Sequence, residues 1–234
     1  MNLSEKVALR LLSNLDPEKA HNLAMRALKF GFIPKTQGFQ AKSLELSVAG
    51  LKFKNPLGLA AGFDKNAEAI KPLLKFGFGF IEVGAVTPLA QTGNPKPRLF
   101  RLKEDNAIIN RFGFNNDGMH EVSKRLSKRL SNGIVGLNLG ANKNSADRIS
   151  DFATVFRECS EFIDFATVNV SSPNTENLRK LQSDKELRKL LNGVIAGQDS
   201  LKTKVPVFLK IAPDLEKEEL KNIALVAIDT RIDG

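Results

Sequence analysis

The first 31 residues carry apolar positions at helical spacing. The sequence predicts an amphipathic helix on a stripe formed by Leu3, Val7, Leu11 and Leu15. The stretch LDPEKAH then marks a second helix, with Asp16 at the N-cap and Pro17 at the first helical position. Basic residues flank both helices, so the helices either pack on the body of the protein or lie on an anionic membrane surface.

A polar segment with proline and glycine, residues 33–42 (IPKTQGFQAK), is predicted to connect two parts of the chain. We place the boundary after residue 38, which gives a helical segment over residues 1–38 and a main domain over residues 39–234. The stretch LELSVAGLKFKN follows, and its alternation on both sides of Ala49 and Gly50 predicts a β-hairpin.

From Asn55 onward, short apolar runs alternate with longer, helix-like segments. The runs are PLGLAAG, FIEVGAV, GIVGLNLG, FATVNVS and VPVFLKIA. Their continuous apolar character predicts strands buried on both faces, and the helices between them imply parallel connections. Five such units are typical of an α/β barrel or of an open, doubly wound sheet.

The residues that follow each run favour the barrel. Gly, Asn, Ser, Thr or Lys stands at the carboxyl end of every run, in AAGFDKN, GAVTP, NLGANKN, NVSSPNT and KIAPD. In a barrel all these ends share one face, where active sites are built, whereas in an open sheet only those near the switch point share a ligand. No G-x-G-x-x-G or P-loop motif follows any run. The sequence therefore predicts an α/β barrel with one shared polar pocket.

Composition narrows the classes of partner. The chain has 234 residues and a net charge of +9, which fits either general solubility or anionic ligands such as phosphates, carboxylates or a membrane surface. Trp and Tyr are absent, which weakens single-stranded nucleic-acid binding, and we expect no nucleic-acid partner. No apolar run approaches the roughly 20 residues that span a bilayer, and the amino terminus lacks a signal-peptide pattern.

The cysteine and histidine content argues against metal sites and disulfides. Cys159 is the only cysteine, and in its helix-like context, FRECSEF, we expect a buried small hydrophobe. His21 and His120 lie far apart in the sequence, so we expect no metal centre. A reducing location on the cytosolic side fits this composition.

The predicted pocket gathers a coherent set of side chains. Lys65 and Lys210 can neutralise an anionic ligand or a reduced cofactor. Amides that suit a heterocycle with imide-like edges are supplied by Asn110, Asn115, Asn138, Asn169 and Asn174. Ser172 adds a hydroxyl, and no carboxylate–histidine pair near it indicates a hydrolase triad. A single Asn or Ser after a strand is usually a turn or a cap, so the argument rests on five strand ends together.

Several long motifs occur in a fixed order along the chain. They are NPLGLAAGFDKNAEAI, EVGAVTP, GNPKPRLFRL, INRFGFNNDG, NLGANKN, NVSSPNTENLRKLQ and VFLKIAPDL. In these motifs, and in LDPEKAH, the chain resembles the family-2, quinone-dependent dihydroorotate dehydrogenases. The resemblance implies a (β/α)8 barrel that binds FMN and oxidises dihydroorotate to orotate in pyrimidine biosynthesis. It also implies reoxidation of the flavin by a membrane quinone, at the cytoplasmic face of the membrane, by a peripheral protein.

The resemblance assigns roles to individual residues. Ser172 corresponds to the catalytic base, and soluble members of the wider family use a cysteine there, so a serine favours the quinone class. The orotate-binding positions are Lys65, Asn110, Arg111, Phe112, Gly113, Phe114, Asn115, Asn169 and Asn174. The FMN-binding positions are Ala61, Gly62, Phe63, Asp64, Lys65, Ala85, Asn138, Asn169 and Lys210. The positions that line quinone access are His21 and Arg101.

Two features depart from the family pattern. Ala141 stands where members commonly carry a lysine, and Lys143 remains nearby, so we expect a tolerated change. The chain is also shorter than a barrel of about 250 residues with an extension, so we expect a fragment whose FMN-phosphate site lies beyond Gly234.

The alternative functions are that of another FMN barrel similar to a tRNA dihydrouridine synthase, which the positive charge suits, or that of an inactive binding remnant. Because adjacent strand residues face opposite sides, we expect only one of Ser171 and Ser172 to face the pocket unless the turn at Pro173 rotates them.

Overall fold

Helices alternate with strands along most of the chain in the computed structural model, which describes residues 3–32, 41–129, 133–174, 178–201 and 203–234. The α-helices are α1 (Leu3–Ser13), α2 (Pro17–Lys29), α3 (Ile70–Leu74), α4 (Met119–Leu126), α5 (Arg148–Cys159), α6 (Asp184–Ala196) and α7 (Lys217–Thr230). The strands are β1 (Leu46–Val48), β2 (Leu51–Phe53), β3 (Gly58–Leu59), β4 (Phe80–Val86), β5 (Leu99–Leu102), β6 (Ala107–Asn110), β7 (Ile134–Leu139), β8 (Phe165–Asn169) and β9 (Val207–Lys210). Short 3-10 helices occupy Lys42–Leu44, Ser160–Phe162, Leu178–Gln182 and Gly197–Ser200.

The predicted apolar runs form a five-stranded parallel sheet in the order β3-β4-β7-β8-β9. Each strand pairs with the next one of the sheet along the chain, without the reversal of order that defines a doubly wound sheet. This order is that of consecutive strands in a (β/α) barrel. The predicted fold class, an α/β barrel with about five strands, is therefore confirmed as a partial barrel.

Aromatic rings close the amino-terminal end of the sheet. Phe53, Phe80, Phe165 and Phe208 form a row of edge-to-face contacts with centroid separations of 5.3, 5.9 and 5.7 Å. The rings need space beside them, since a Cβ added to Gly136 would lie 2.0 Å from the Phe165 ring. The aromatic row thus fills the interior at this end and leaves the carboxyl ends of the strands for a pocket.

The side chains of each strand face alternately the outer helices and the interior. On β4, Ile81 and Val83 are buried in the core that includes Phe152 and Phe156 of α5. The alternate residue Glu82 faces the interior, where its carboxylate meets Asn138 of β7. Because strand side chains alternate, the apolar half of each strand packs against the outer helices while the other half forms the pocket.

The two predicted amino-terminal helices are confirmed as α1 and α2. Asp16 accepts the backbone N–H of Lys19 at 2.9 Å, as expected of an N-cap, and Pro17 begins α2. Met25 and Leu28 of α2 are buried against the body of the protein. The boundary predicted after residue 38 falls outside the described residues. Among the described residues, no helix is both long enough and apolar enough to cross a membrane.

The hairpin predicted around Ala49 and Gly50 is confirmed as β1–β2, with both turn residues at positive φ. A second hairpin, β5–β6, was not predicted. The polar tetrapeptide KEDN between LFRL and AIIN is a turn signal that would have indicated it. The prediction for Cys159 is confirmed, because the thiol is buried and this burial raises its pKa to about 12.

Candidate active site

A cavity of about 730 Å³ lies at the carboxyl ends of the parallel strands. Most of the residues predicted from the sequence line it, namely Ala61, Gly62, Lys65, Ala85, Asn110, Phe112, Gly113, Phe114, Asn115, Asn138, Asn169, Ser172, Asn174 and Lys210. The structure therefore brings together residues from all five strand ends and from the segment after β6. Their functional roles stay predictions.

Three residues that were predicted to bind the substrate or FMN do not line the cavity. Asp64 is buried and accepts the backbone N–H groups of Glu68 and Ala69, both at 2.8 Å, just before α3. Burial raises the pKa of the Asp64 carboxyl. Phe63 turns toward α2, and the exposed Arg111 donates to the carbonyl oxygen of Pro97 at 2.9 Å. The side chains of these residues support the loops around the cavity and do not line it.

The two residues predicted to line quinone access do not line this cavity. His21 lines a neighbouring cavity that shares Lys65 and Phe112 with it, and Arg101 lines neither. The His21 ring packs edge-on against Phe63 with centroids 5.1 Å apart. Burial lowers the pKa of His21, and the charge of Lys65 lowers it further. Arg101 donates to the carbonyl oxygens of Leu15 at 2.7 Å and Leu12 at 3.2 Å, so it ties β5 to the end of α1.

A chain of hydrogen bonds crosses the base of the cavity. The Asn138 amide donates to Glu82 at 2.6 Å, and the Asn169 amide donates to the Asn138 oxygen at 2.8 Å. The Ser171 hydroxyl donates to the Asn169 oxygen at 2.8 Å. Buried and connected in this way, the two amides have a fixed orientation before any ligand arrives.

Ser171 and Ser172 both line the cavity, which is the exception that the prediction allowed for the turn at Pro173. The strand β8 ends at Asn169, so the alternation of strand side chains no longer applies at either serine. Their hydroxyls differ in partners, because Ser171 donates to Asn169 while Ser172 Oγ accepts the backbone N–H of Asn174 at 3.2 Å. The Ser172 hydroxyl proton is thus not used in this contact.

The surroundings of Lys65 in the cavity shift its pKa strongly. Its ammonium donates to the Gly62 carbonyl oxygen at 2.6 Å and lies 4.3 Å from the centroid of the Phe112 ring. Burial lowers the pKa of Lys65 to about 8. A lysine with this pKa is still mostly protonated at neutral pH, and an anionic ligand beside it would raise the pKa.

The side-chain oxygen of Asn115 is buried and has no hydrogen-bond partner within the described part of the chain. A buried acceptor without a donor costs about 1–3 kcal/mol. Since Asn115 lines the cavity, a ligand with an N–H group would satisfy it.

Further cavity residues were not predicted, namely Gly84, Ser171, Pro173, Arg179, Ile211 and Pro213. Arg179 donates to the Ser171 carbonyl oxygen and to Asp214, both at 3.1 Å, and so fixes the turn that carries the serines. Its motif, NLRKLQ, was part of the sequence resemblance and would have indicated it. With Lys65 and Lys210, Arg179 makes the lining basic, and no carboxylate is among the described residues that line the cavity.

Comparisons with known proteins place the chain in one family. The family model described as dihydroorotate dehydrogenase matches residues 43–234. The protein named dihydroorotate dehydrogenase (quinone) from Cereibacter sphaeroides (strain KD131) is 54% identical, over 100% of this chain and 66% of its own length. The one from Mesorhizobium japonicum is 49% identical with the same coverage.

Solved structures show the same relationship. Dihydroorotate dehydrogenase (DHODH) from Eimeria tenella in complex with ferulenol superimposes with a TM-score of 0.90 at 39% identity, over 97% of this chain and 68% of that one. Its ligand-free form gives a TM-score of 0.88 at 40% identity, over 94% of this chain and 67% of that one. This chain spans 66% of the length of the curated relatives named above. It belongs to the dihydroorotate dehydrogenase family, in the group whose curated members are named as quinone enzymes.

Proposed function

We propose that the protein oxidises (S)-dihydroorotate to orotate in pyrimidine biosynthesis, with hydride passing to FMN and the flavin reoxidised by a membrane quinone. One observation carries the proposal, which is the composition of the cavity. A serine hydroxyl, several amides and a half-buried lysine converge there, and the described part of the lining contains no carboxylate. The membership of the family supports the same activity and favours it over a reaction on dihydrouridine in tRNA.

The chemistry of the proposed substrate fits the lysine and the asparagine side chains of the cavity. Dihydroorotate is an anion whose ring carries imide-like N–H and C=O groups. Lys65 would meet the negative charge, and the unpartnered oxygen of Asn115 would accept a ring N–H. Asn110 and Asn174 are already joined, since the Asn174 amide donates to the Asn110 carbonyl oxygen at 3.3 Å. Binding would therefore require little rearrangement of these loops.

The residues at the strand ends fit a planar cofactor. Gly62 has a φ of +106°, which favours glycine, and a Cβ added there would meet nothing within 4 Å. With Ala61 and Ala85 it leaves open space beside the fixed amides of Asn138 and Asn169. A bound flavin would supply the acceptor for the two electrons of a hydride. Lys210, which also lines the cavity, would place positive charge beside the reduced form.

Ser172 is proposed as the base. Its Oγ would take the proton from C5 of the substrate while hydride leaves C6, and the hydroxyl's own proton would pass on to solvent. The N–H of Asn174 donates to this Oγ at 3.2 Å and would stabilise negative charge that develops on it. Serine is a weak base in water, so the reaction needs a site from which water is excluded.

We further propose that α1 and α2 hold the protein at the cytoplasmic face of the membrane, as a peripheral protein, and admit the quinone. Large apolar side chains remain exposed on these helices, including Leu11 at 65% and Leu23 at 50%. Arg10 and Arg26 on the same helices add positive charge. Apolar and basic residues together are the pattern of a helix that lies in a membrane interface.

The test uses the full-length natural protein loaded with flavin under anaerobic conditions. Addition of dihydroorotate should bleach the flavin absorbance, and addition of a short-chain quinone should restore it. Dihydrouridine, which lacks the carboxylate, is the matched control and should not bleach the flavin. Bleaching by dihydrouridine but not by dihydroorotate would overturn the proposal.

A further inference from the structure

A buried ion pair joins α2 to the segment that leads into β5. Glu18 and Arg98 are only 9% and 6% exposed. Their contact has two points, with Nη2 to Oε1 at 2.7 Å and Nε to Oε2 at 3.1 Å. This bond to Arg98 lowers the pKa of the Glu18 carboxyl. Neither the substrate positions nor the quinone positions predicted from the sequence include these two residues.

The same guanidinium organises the loops of the cavity. Arg98 Nη1 donates to the carbonyl oxygens of Thr92 and of Asn94, the latter at 3.0 Å. Asn94 in turn donates from its backbone N–H to the Phe112 carbonyl oxygen at 2.9 Å. Its side-chain amide donates to the Asn174 carbonyl oxygen at 3.2 Å. Arg98 thus supports both the segment after β6 and the turn that follows Ser172.

Phe112 connects this pair to the cavity. The Arg98 guanidinium carbon lies 5.3 Å from the Phe112 ring centroid, and the Lys65 ammonium lies 4.3 Å from it. Two cations therefore share one aromatic ring. The carboxylate of Glu18 pairs with one of them, Arg98, and also with Lys96 at 3.2 Å.

We propose that Glu18 and Arg98 are a positioning pair for the anionic-substrate site, which fixes Phe112 and sets the electrostatic environment of the Lys65 ammonium. Through this pair, α2 acts on the dihydroorotate side of the protein as well as on the quinone side. The identity of the substrate rests on the proposed function, whereas the effect on Lys65 does not.

Glu18 and Arg98 shift the pKa of Lys65 in opposite directions. The charged groups near Lys65 lie on α2 (Glu18, His21, Arg26 and Lys29), before β5 (Lys96 and Arg98), close to it in the chain (Asp64 and Glu68) and in the cavity lining (Arg179 and Lys210). Burial is the main reason that the pKa of Lys65 is lowered to about 8. The charge of Glu18 raises this pKa and the charge of Arg98 lowers it. A pair too far from Lys65 for its charges to act on the ammonium would not show this opposition.

The test measures the pKa of Lys65 directly, by NMR of isotope-labelled lysine in the full-length protein, with the signal assigned through Lys65→Arg. Glu18→Gln should lower this pKa by about half a pH unit, and Arg98→Met should raise it by a similar amount. Combining both changes should bring the pKa back toward its original value. If both single variants move the pKa in the same direction, or neither moves it, the proposal is wrong.

A matched control comes from the same helix. Lys29 of α2 forms an ion pair with Glu68 at 2.6 Å, which also joins α2 to the body and lines the same cavity as Lys65, but neither residue is among the charges that shift the pKa of Lys65. Glu68→Gln should leave the pKa of Lys65 unchanged. If Arg98→Met does not fold, Glu18→Gln against Glu68→Gln decides the matter, and Arg98→Lys should preserve the pKa. An equal shift in Glu18→Gln and Glu68→Gln would show that only the docking of α2 matters.

A kinetic readout links the pair to the substrate. In the flavin-loaded protein, the KM for dihydroorotate should begin to rise at a lower pH in Glu18→Gln than in the parent, because Lys65 loses its charge earlier. Absence of dihydroorotate oxidation in the parent would refute the proposed function and leave the NMR result standing. Normal oxidation with an unchanged pH profile in Glu18→Gln would refute the positioning role alone.

Discussion

Ser171 and Ser172 carry the same hydroxyl group, and their hydrogen bonds give the two groups different chemistry. The Ser171 hydroxyl donates to Asn169 and belongs to the buried chain that begins at Glu82. Ser172 Oγ instead accepts a backbone N–H from Asn174. At the scale of the residue, the structure therefore separates a hydroxyl that orients amides from one that is available for proton transfer.

Substitution of Ser172 tests that separation. In the flavin-loaded full-length protein, Ser172→Ala should keep the flavin bound while slowing its reduction by dihydroorotate about 10²–10⁴-fold, the usual value of a general base. Anaerobic stopped-flow absorbance measures this step. Ser171→Ala is the control, and its main effect should be weaker binding of flavin, because Asn169 loses a partner. Equal losses of rate in the two variants would show that the base has been wrongly assigned.

The pKa of Lys65 leads to a pH dependence of substrate binding. Because burial lowers this pKa to about 8, the ammonium is present below that pH and is lost as the pH rises through it. Dihydroorotate is an anion, so its KM should rise above about pH 8. Lys65→Arg stays charged at every accessible pH and should remove this dependence, although its overall affinity will be lower. A KM that stays flat across this range in the parent would contradict the assignment of Lys65.

At the scale of the element, α2 carries two surfaces with different consequences. One buries Met25 and Leu28 and delivers Glu18 to Arg98, while the other leaves Leu23 exposed. Deletion of the amino-terminal helices would remove both surfaces at once and leave Arg98 as a buried charge without its carboxylate. Substitutions of exposed residues are therefore the cleaner test of a membrane role.

The apolar surface of α1 and α2 predicts a specific separation of activities. Leu11→Ser with Leu23→Ser should weaken binding to anionic lipid vesicles about tenfold or more, since each exposed leucine contributes apolar area to the membrane contact. Quinone reduction should fall with it, while flavin reduction by dihydroorotate should persist. Leu220→Ser with Leu225→Ser on α7, where these leucines are 41% and 51% exposed, is the matched control. Vesicle co-sedimentation that is equal in both pairs would rule out this membrane surface.

At the scale of the whole molecule, the sheet has one filled end and one open end. The row of phenylalanines fills the amino-terminal end, and the polar groups of the strand ends surround the cavity at the other. Because a parallel sheet places all its carboxyl ends on one side, five strands that are each mostly apolar can still build a polar site. The glycines beside the phenylalanine rings are part of this arrangement.

Substitution of two glycines, one beside the aromatic row and one away from it, tests how closely the row is packed. A Cβ on Gly136 would lie 2.0 Å from the Phe165 ring, so Gly136→Ala should destabilise the protein by about 1–3 kcal/mol. Gly193 lies within α6 and a Cβ there would meet nothing within 4 Å, so Gly193→Ala should stabilise it by up to about 1 kcal/mol. Chemical denaturation measures both. A similar stability in the two variants would mean that the aromatic row can shift to accept the methyl group.

The sequence alone determined the features that depend on neighbouring residues. Helical spacing and the Asp16 cap predicted α1 and α2, and alternation about Ala49 and Gly50 predicted the first hairpin. Apolar runs predicted the five strands, and the polar residues after them predicted the shared pocket. These predictions succeeded because periodicity, caps and turn residues act within a few positions of one another.

Only the tertiary structure decided which distant groups meet. It paired Glu18 with Arg98 across 80 residues of sequence, and it placed Arg179 in the cavity lining. It also directed the Asp64 carboxylate to backbone N–H groups before α3 and away from the cavity. The physical reason is that a charged side chain satisfies its burial with whichever partner the packed elements bring within reach, and no local pattern specifies that partner.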